Sequence, residues 1–157
     1  MKVLVELDEL SVNFRKALAK SCKIRVTLAK LAEDEEAEVR AEAARNPNTA
    51  EKDLSKLAND KYEGVRCGVA KNSSTAVADL SKLSKDKNWG VRFCAAGNEK
   101  TAAADLSKLA DDENSDVRRA ARENPNMPAI LNEENGDNSD SYDDSDDDVY
   151  DDDDEEF

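Results

Sequence analysis

Small and branched apolar residues recur along the chain at helical spacings, in short blocks separated by polar segments. In one kind of block, Val65 and Val69 stand four residues apart, which places both side chains on one face of a helix. In a second kind, Leu80 and Leu83 stand three residues apart and also share a face. Each block spans only about two or three helical turns, too few for a helix that is stable alone. The pattern therefore predicts pairs of short helices that gain stability by packing on neighbouring pairs.

The two kinds of block alternate with a period of 26 residues, and the segment DLSKL begins at residues 53, 79 and 105. The positions that repeat form framework columns: valine (Val39, Val65, Val91, Val117), arginine (Arg40, Arg66, Arg92, Arg118), asparagine (Asn46, Asn72, Asn98, Asn124), threonine (Thr49, Thr75, Thr101), leucine (Leu54, Leu80, Leu106 and Leu31, Leu57, Leu83, Leu109) and aspartate (Asp34, Asp60, Asp86, Asp112). A degenerate earlier copy, FRKALAKS, occupies residues 14–21. A fixed period of this length is typical of a solenoid. We therefore predict an all-α fold, a short α-solenoid of about 4 repeats over residues 12–131.

The polar framework residues predict where the helices begin and end. Asp60 precedes the first helix of its unit and is expected to cap that helix. Asn72 is expected to end it in a left-handed conformation, and Asn46 and Asn124 are each followed by Pro, which cannot continue a helix. Thr75 is expected to be the N-cap of the second helix, which should end near Asp86.

Two stretches carry the repeat most fully: VRAEAARNPNTAEKDLSKLAND at residues 39–60 and NWGVRFCAAGNEKTAAADLSKLADD at residues 88–112. The pattern VRxxVAxNPxTxxxxLxxLAxD, with Trp two residues before the Val, resembles the leucine-rich repeat variant family over residues 12–131. The resemblance implies a HEAT-like, right-handed superhelix in which α-helices alternate with 3₁₀-helices, so each helix pair is expected to be either α/α or α/3₁₀. Members of that family can carry a cysteine-ligated iron–sulfur segment, but this chain lacks those cysteines, so no cofactor is expected.

Both ends of the repeat region are expected to be caps. Val3, Leu4, Leu7 and Leu10 in residues 1–11 should cover the first unit. At the other end, Arg122 replaces a repeated Ala, and Met127-Pro128-Ala129 replaces the Thr region. We expect this last change to form a C-terminal cap.

Charge divides the chain into two parts. Residues 1–132 hold all 23 Lys and Arg and 22 of the 37 acids, a net charge of +1, whereas residues 133–157 hold 15 acids and no basic residue. The near-neutral body is not an obvious nucleic-acid binder. Residues 132–157 have too little apolar surface to offset their ordering entropy and self-repulsion, which predicts a disordered acidic tail.

The acidic tail has more than one possible role. Its simplest role is to keep the protein in solution. A dense run of carboxylates also imitates a phosphate backbone, so the tail could mimic DNA or bind a basic groove of a protein partner. Tyr150 lies among the acids, and the run ends on Phe157, which is similar to the tails of single-stranded-DNA-binding proteins. That resemblance implies docking of the terminal phenyl ring on a partner. The tail could also fold back onto the Arg or Lys rows of its own body and mask them.

Two further sets of residues are candidates for binding. The arginines Arg40, Arg66, Arg92 and Arg118 could form a column that grips phosphates or an acidic partner. They could equally pair with the aspartate column, since an Asp always stands six residues before each Arg. Tyr62 and Trp89 lie just before first helices, where they could form a recognition stripe or staple one unit to the next.

The remaining composition narrows the class of protein. There is no His, and no Gly-rich phosphate loop or nucleophile motif occurs, so an enzyme is not expected. The nearest enzyme would be a helical-repeat DNA glycosylase. Three cysteines without a CxxC pair (Cys22, Cys67, Cys94) predict small buried thiols in a reducing compartment. The absence of a long apolar run and of a signal sequence predicts a cytoplasmic protein without a membrane span.

The sequence thus predicts a non-enzymatic module that binds a protein partner through the repeat surface, the acidic tail or both. A nucleic-acid-directed role is the first alternative. No metal ligand is expected, and the sequence leaves open which face would bind.

Overall fold

The computed structural model describes residues 7–129, and all regular structure within that range is helical. A short 3₁₀ helix at Leu7–Glu9 precedes nine α-helices. They are α1 (Val12–Ser21), α2 (Arg25–Leu31), α3 (Ala37–Arg45), α4 (Glu51–Leu57), α5 (Glu63–Lys71), α6 (Val77–Leu83), α7 (Trp89–Ala96), α8 (Ala103–Leu109) and α9 (Ser115–Glu123). The predicted all-α class is confirmed for the described residues.

The helices contact one another in a regular order. The longer helices α1, α3, α5, α7 and α9, hereafter the first helices, each pack on the next one in that series. The shorter helices α2, α4, α6 and α8, the second helices, each contact the two first helices that flank them in the chain. Both helices of every pair within the described residues are α-helical, so of the two expected pairings, α/α and α/3₁₀, the structure has the first.

The core is formed by the aliphatic framework columns. The valine column is fully buried, as are the leucines of both leucine columns to within a few per cent. Small residues let the first helices approach closely, because a Cβ added at Gly68 in α5 would lie 3.0 Å from the Cβ of Ala44 in α3. Apolar burial of this kind contributes about 25 cal/mol per Å². A helix of seven to ten residues is therefore held by its neighbours rather than by its own hydrogen bonds.

The threonine column does not provide the N-caps of the second helices, as was predicted. The second helices begin after Ala50, Ala76 and Ala102, so Thr75 lies one residue before the N-cap and the N-cap prediction is wrong. The Thr75 hydroxyl instead donates a 2.6 Å hydrogen bond to the carbonyl oxygen of Val69 in the last turn of α5. Thr49 and Thr101 make the equivalent bond. The threonines thus satisfy carbonyls at the ends of first helices.

Three members of the asparagine column, Asn46, Asn72 and Asn124, end their first helices, as predicted, but in an extended rather than a left-handed conformation. The helix α7 is instead capped by Gly97, one residue before Asn98. Asn72 has φ −77° and ψ 125°. Its side-chain Nδ2 donates to the carbonyl oxygens of Ala44 and Asn46 in the preceding unit, at 2.7 and 2.9 Å, and its Oδ1 accepts from the amide of Ser74. Because the helix ends by hydrogen bonding to its neighbour, no positive φ is needed.

The aspartate column precedes the first helices, also with a corrected detail. The Oδ1 atom of Asp60 accepts a 3.0 Å hydrogen bond from the amide of Tyr62, which is itself the N-cap of α5. Asp60 therefore stabilises the turn before the helix rather than the first helical turn. The preceding second helix ends earlier than predicted, with α6 finishing at Leu83 rather than near Asp86.

The described residues include part of each predicted cap of the repeat region. Leu7 packs against the core at the N-terminal end, whereas Val3 and Leu4 lie outside the described residues. Met127 is buried against α8 and α9 in the position that Thr occupies in earlier units. Residues 130–157, which include most of the predicted acidic tail, also lie outside the described range.

Candidate functional site

The arginine column is paired with the aspartate column, and each pair joins the helix of one unit to the loop that begins the next. Arg66 donates from Nε and Nη2 to the two carboxylate oxygens of Asp86, at 2.6 and 2.9 Å. The same two-bond arrangement links Arg40 to Asp60, Arg92 to Asp112 and, in the degenerate first copy, Arg15 to Asp34. The predicted pairing of the two columns is confirmed, but the partner is the Asp 20 residues after the Arg.

The Asp six residues before each Arg also takes part, through its backbone. Nη1 of Arg66 donates to the carbonyl oxygens of Asp60 and Lys61, at 2.8 and 3.1 Å. Each guanidinium therefore bridges the loop before its own helix and the loop before the next first helix. A planar fork with five donors suits this double role, which the point charge of a Lys would not fill.

The pKa shifts of the pairs agree with this geometry. Hydrogen bonds from the Asp86 carboxylate raise the pKa of Arg66 above its usual value, although burial opposes the shift. Burial alone would raise the pKa of Asp86, but the hydrogen bonds from Arg66 and from the amide of Asn88 outweigh it and lower that pKa. The pKa of Asp60 is lowered in the same way. Both partners stay charged over a wide pH range, as expected for bidentate ion pairs.

These contacts bear on the predicted binding role of the arginines. The side chains of Arg66 and Asp86 are about nine-tenths buried, with exposures of 9% and 10%. Arg40 and Arg92 are similarly enclosed. Their donors are already taken by carboxylates and carbonyls, so a phosphate-binding column at Arg40, Arg66 and Arg92 loses its physical support. Arg118 makes the two backbone bonds, to the carbonyl oxygens of Asp112 and Glu113, and its predicted binding role stays a prediction.

Tyr62 and Trp89 lie at the N-terminal ends of α5 and α7 and keep 45% and 48% of their surface exposed. The ring of Tyr62 lies against the guanidinium of Arg40 in the preceding unit, 5.6 Å from its centroid, and against Lys61. Tyr62 therefore does staple two units, and its other surface is still accessible. Trp89 is exposed, and both of its predicted roles stay predictions.

The other two candidates cannot be placed. Tyr150 and Phe157 lie outside the described residues. Their predicted docking on a partner stays a prediction.

A surface that the sequence reasoning did not single out is the exposed side of the first helices. We define the first-helix face as a set of exposed or partly exposed positions on the first helices, outside the framework columns. Its members are Lys16 and Lys20 on α1, Glu38, Glu42 and Arg45 on α3, Glu63, Gly64, Cys67 and Lys71 on α5, Trp89 and Phe93 on α7, Gly97 directly after α7, and Asp116, Arg119 and Glu123 on α9. Most equivalent positions carry different chemistry from unit to unit, as in the row Cys67, Phe93 and Arg119.

The variation itself is a signal that the sequence contained. Framework positions repeat because each unit gives them the same surroundings, whereas positions on this face are free to differ. Comparing the units column by column, and asking which columns differ, would have found the face without a structure.

Two open grooves cross the first-helix face. The first, of about 430 Å³, lies between α1, α3 and the start of α5, and its apolar floor includes Ala37, Ala41 and Val65. Its charged rim contains two basic and three acidic side chains: Lys16, Arg45, Glu38, Glu42 and Glu63. Tyr62 forms one edge.

The second groove, of about 350 Å³, lies between α7 and α9. Phe93, Ala120 and Pro125 supply its apolar lining, and one Arg and two Glu supply its charges: Arg119, Glu99 and Glu123. Each groove thus holds one more acid than base. Mixed rims of this kind suit peptide groups better than a phosphate backbone.

A disulfide joins α5 and α7, and it extends from the first-helix face at Cys67 to the buried Cys94. Cys67 in α5 and Cys94 in α7 are bonded, with Cα atoms 5.7 Å apart, and Cys22 is a free, buried thiol. The prediction of three separate thiols is therefore wrong for two of them. Positions 27 residues apart lie side by side on stacked units with a 26-residue period, so the pairing follows from the repeat. Disulfides are rare in reducing compartments, which removes the cysteine argument for a cytosolic location.

Between residues 7 and 129, no group of three or more His, Cys, Asp or Glu side chains is arranged to hold a metal ion. In that part of the chain, none of the helices has the length and hydropathy to cross a membrane.

Comparison with protein-family models and with curated proteins finds no match to this chain. The resemblance to the leucine-rich repeat variant family therefore stays a prediction.

Proposed function

We propose that this protein is a non-enzymatic interaction module, a short right-handed α-solenoid of the leucine-rich repeat variant type, and that it binds a protein partner through the first-helix face. The proposal rests on a contrast between the framework positions and the exposed positions of each first helix. The framework positions are buried or paired internally and repeat in every unit, while the exposed positions differ from unit to unit.

The chemistry of the face indicates the kind of partner. The groove between α1, α3 and α5 has an apolar floor, an aromatic edge and a rim of both charges. Such a groove accepts one or two apolar side chains flanked by charged groups, as an amphipathic peptide or helix presents them. Trp and Tyr are enriched at binding hot spots, and Trp89 and Tyr62 are the exposed aromatic residues at the starts of α7 and α5.

Of the alternatives, nucleic-acid binding by the arginine column is opposed by the Arg–Asp pairs. DNA mimicry by residues 133–157 rests on their 15 acids alone and is kept as a second candidate. A glycosylase would need a basic, aromatic-lined cleft, and neither groove described above is basic.

The test compares one exposed position on a first helix with one on a second helix. A photoreactive amino acid replaces Trp89 on the first-helix face or Val77 on α6, two apolar positions of nearly equal exposure, 48% and 50%. Crosslinking from position 89 and not from position 77 identifies the partner. Its affinity for purified full-length protein is then measured with Trp89→Ala and Val77→Ala.

We expect Trp89→Ala to weaken binding by roughly tenfold or more, as for an aromatic hot spot, and Val77→Ala to leave it unchanged. Thermal unfolding of both variants controls for stability. Equal losses in the two variants, or crosslinking from position 77 alone, would place binding elsewhere and contradict the proposal.

A further inference from the structure

Gly64, in the first turn of α5, has no side chain although the structure leaves room for one. A Cβ added at Gly64 would have no atom within 4 Å. Four residues later, a Cβ at Gly68 would lie 3.0 Å from the Cβ of Ala44, so glycine is needed there for packing. Gly90, the equivalent of Gly64 in the next unit, also has a structural reason, because a Cβ there would lie 3.0 Å from Oδ1 of Asn88, the N-cap of α7.

The missing side chain is unfavourable for the helix and leaves the adjoining groove open. Glycine loses more backbone freedom on folding than any other residue, so it lowers helix stability. Gly64 lies within the regular helix α5, so no turn depends on it. It lines the groove between α1, α3 and α5 together with Tyr62 and with the apolar Ala37 and Ala41 of α3. This part of the groove is therefore free to receive an apolar side chain from a partner.

The charges on the rim of this groove are not all paired. Lys16 of α1 is bonded to Glu38 of α3, and Arg45 is bonded to Glu42 within α3 at 3.0 Å. Glu63, the first residue of α5, forms no ion pair with the residues between 7 and 129. The rim charge that is left over there is thus negative, and it belongs to the neighbour of Gly64 in the chain. A group that complements this rim carries a positive charge.

We infer that a partner protein inserts an apolar side chain beside Gly64 and pairs an adjacent lysine or arginine with Glu63. The groove belongs to the first-helix face, so this assignment rests on the proposed function and specifies the chemistry of the partner. The occupant is a basic, amphipathic peptide segment of another protein. Residues 133–157 of the chain itself, with 15 acids and no basic residue, have the wrong charge for this rim.

The experiment selects a library of random linear peptides displayed on phage. The baits are full-length wild type, Gly64→Leu and a matched control, Ala78→Leu. A leucine at position 64 fills the groove without a clash at its Cβ, so the variant should fold. Ala78 is exposed and is likewise the second residue of its helix, α6, so it controls for an added leucine outside the groove. Thermal unfolding of both variants verifies that they are folded.

We expect wild type and Ala78→Leu to enrich peptides in which a lysine or arginine lies within one helical turn of an apolar residue. Gly64→Leu should fail to enrich them. A synthetic copy of an enriched peptide should bind Gly64→Leu roughly tenfold or more weakly than wild type, because its anchoring side chain has lost its place.

The charge of the partner is tested by exchange. The same peptide should bind Glu63→Lys roughly tenfold more weakly than wild type, and replacing its basic residue by glutamate should restore binding to that variant. Glu51→Lys makes the same charge change at an exposed residue that is also the first of its helix, α4, and should leave the affinity unchanged.

Four outcomes would overturn the assignment. Equal enrichment on wild type and Gly64→Leu, or enrichment on neither, would mean that the space beside Gly64 is not a binding site. Enriched peptides without a basic residue would mean that Glu63 does not select charge. Dimerisation of wild type that Gly64→Leu abolishes would mean that a second copy of the chain occupies the groove. A partner crosslinked from position 89 that binds Gly64→Leu as tightly as wild type would leave the proposed function standing and contradict the Gly64 site alone.

Discussion

The framework columns and the first-helix face lie on the same helices and have opposite relations to sequence. In α5, Val65 and Arg66 are buried and recur in other units, whereas Glu63, Cys67 and Lys71 on the other side of the helix do not recur. The framework is constrained twice, once by burial and once by the neighbouring unit, which must present the matching residue. Most positions on the face have neither constraint, and Cys67, which is bonded to Cys94, is an exception. A repeat protein therefore separates the residues that build it from the residues that are free to recognise something else.

The largest expected effect comes from breaking one framework ion pair. Arg66→Gln leaves the Asp86 carboxylate enclosed without a charged partner, and removing one member of a buried pair costs about 3–5 kcal/mol. The matched change on the face, Arg45→Gln, breaks the exposed Arg45–Glu42 contact and should cost about 0–1 kcal/mol. Urea unfolding of both variants measures the difference.

The same experiment can be sharpened by neutralising both partners. Adding Asp86→Asn to Arg66→Gln removes the uncompensated charge and should recover part of the lost stability. If Arg66→Gln and Arg45→Gln shift the urea midpoint equally, the distinction between framework and face does not hold for charged residues.

The second largest effect concerns apolar framework residues. Leu80 is fully buried and Val77, on the same helix, is 50% exposed. Leu80→Ala should destabilise the protein by about 2–5 kcal/mol, since it leaves a cavity between units. Val77→Ala should change stability by less than about 0.5 kcal/mol. Thermal and urea unfolding would detect the contrast, and a large loss in Val77→Ala would place that side chain in the core.

Sequence predicted the framework well because every framework residue has a local or periodic reason to be where it is. The valine and leucine columns, the helix pairs and the Arg–Asp pairing all follow from spacing and type. Some of the errors are local, such as the N-cap expected at Thr75, but others concern contacts between units. Asn72 was expected to end its helix by its own conformation, yet it does so by bonding to Ala44 and Asn46 of the preceding unit.

The site was predicted less well, for a physical reason. Four of the predicted residues, the arginines, were chosen because they repeat, and repetition indicates a structural role, as the buried Arg66–Asp86 pair shows. Which exposed positions come together depends on the stacking of first helices, and no single unit reveals it. The disulfide is one example, because Cys67 and Cys94 are neighbours only once α5 and α7 are packed.

A third prediction tests whether the face also contributes to stability. The disulfide joins two positions that are not framework columns, so reducing it removes a constraint on the unfolded chain and not a repeating contact. Replacing Cys67 and Cys94 together with Ala should cost about 2–4 kcal/mol. Adding a reductant should destabilise wild type and leave the variant unchanged, and no effect of the reductant on wild type would mean that the bond is absent in solution.

The smallest expected effect is the response to acid, which isolates the framework carboxylates. The pKa values of Asp60, Asp86 and Asp112 are lowered in the folded protein, so the unfolded chain takes up protons first as the pH falls. Their contribution to stability should be complete above the ordinary Asp pKa of 3.8 and be lost as the pH drops below it through the folded values. The unfolding free energy, measured from about pH 6 down to about pH 3 so as to bracket this transition, should therefore decrease as the pH falls.

Two variants test the cause of this decrease. Asp86→Asn should flatten it, whereas Asp116→Asn, at an exposed pair on the face, should not. Equal slopes in the two variants would mean that the lowered pKa of Asp86 does not contribute to folding.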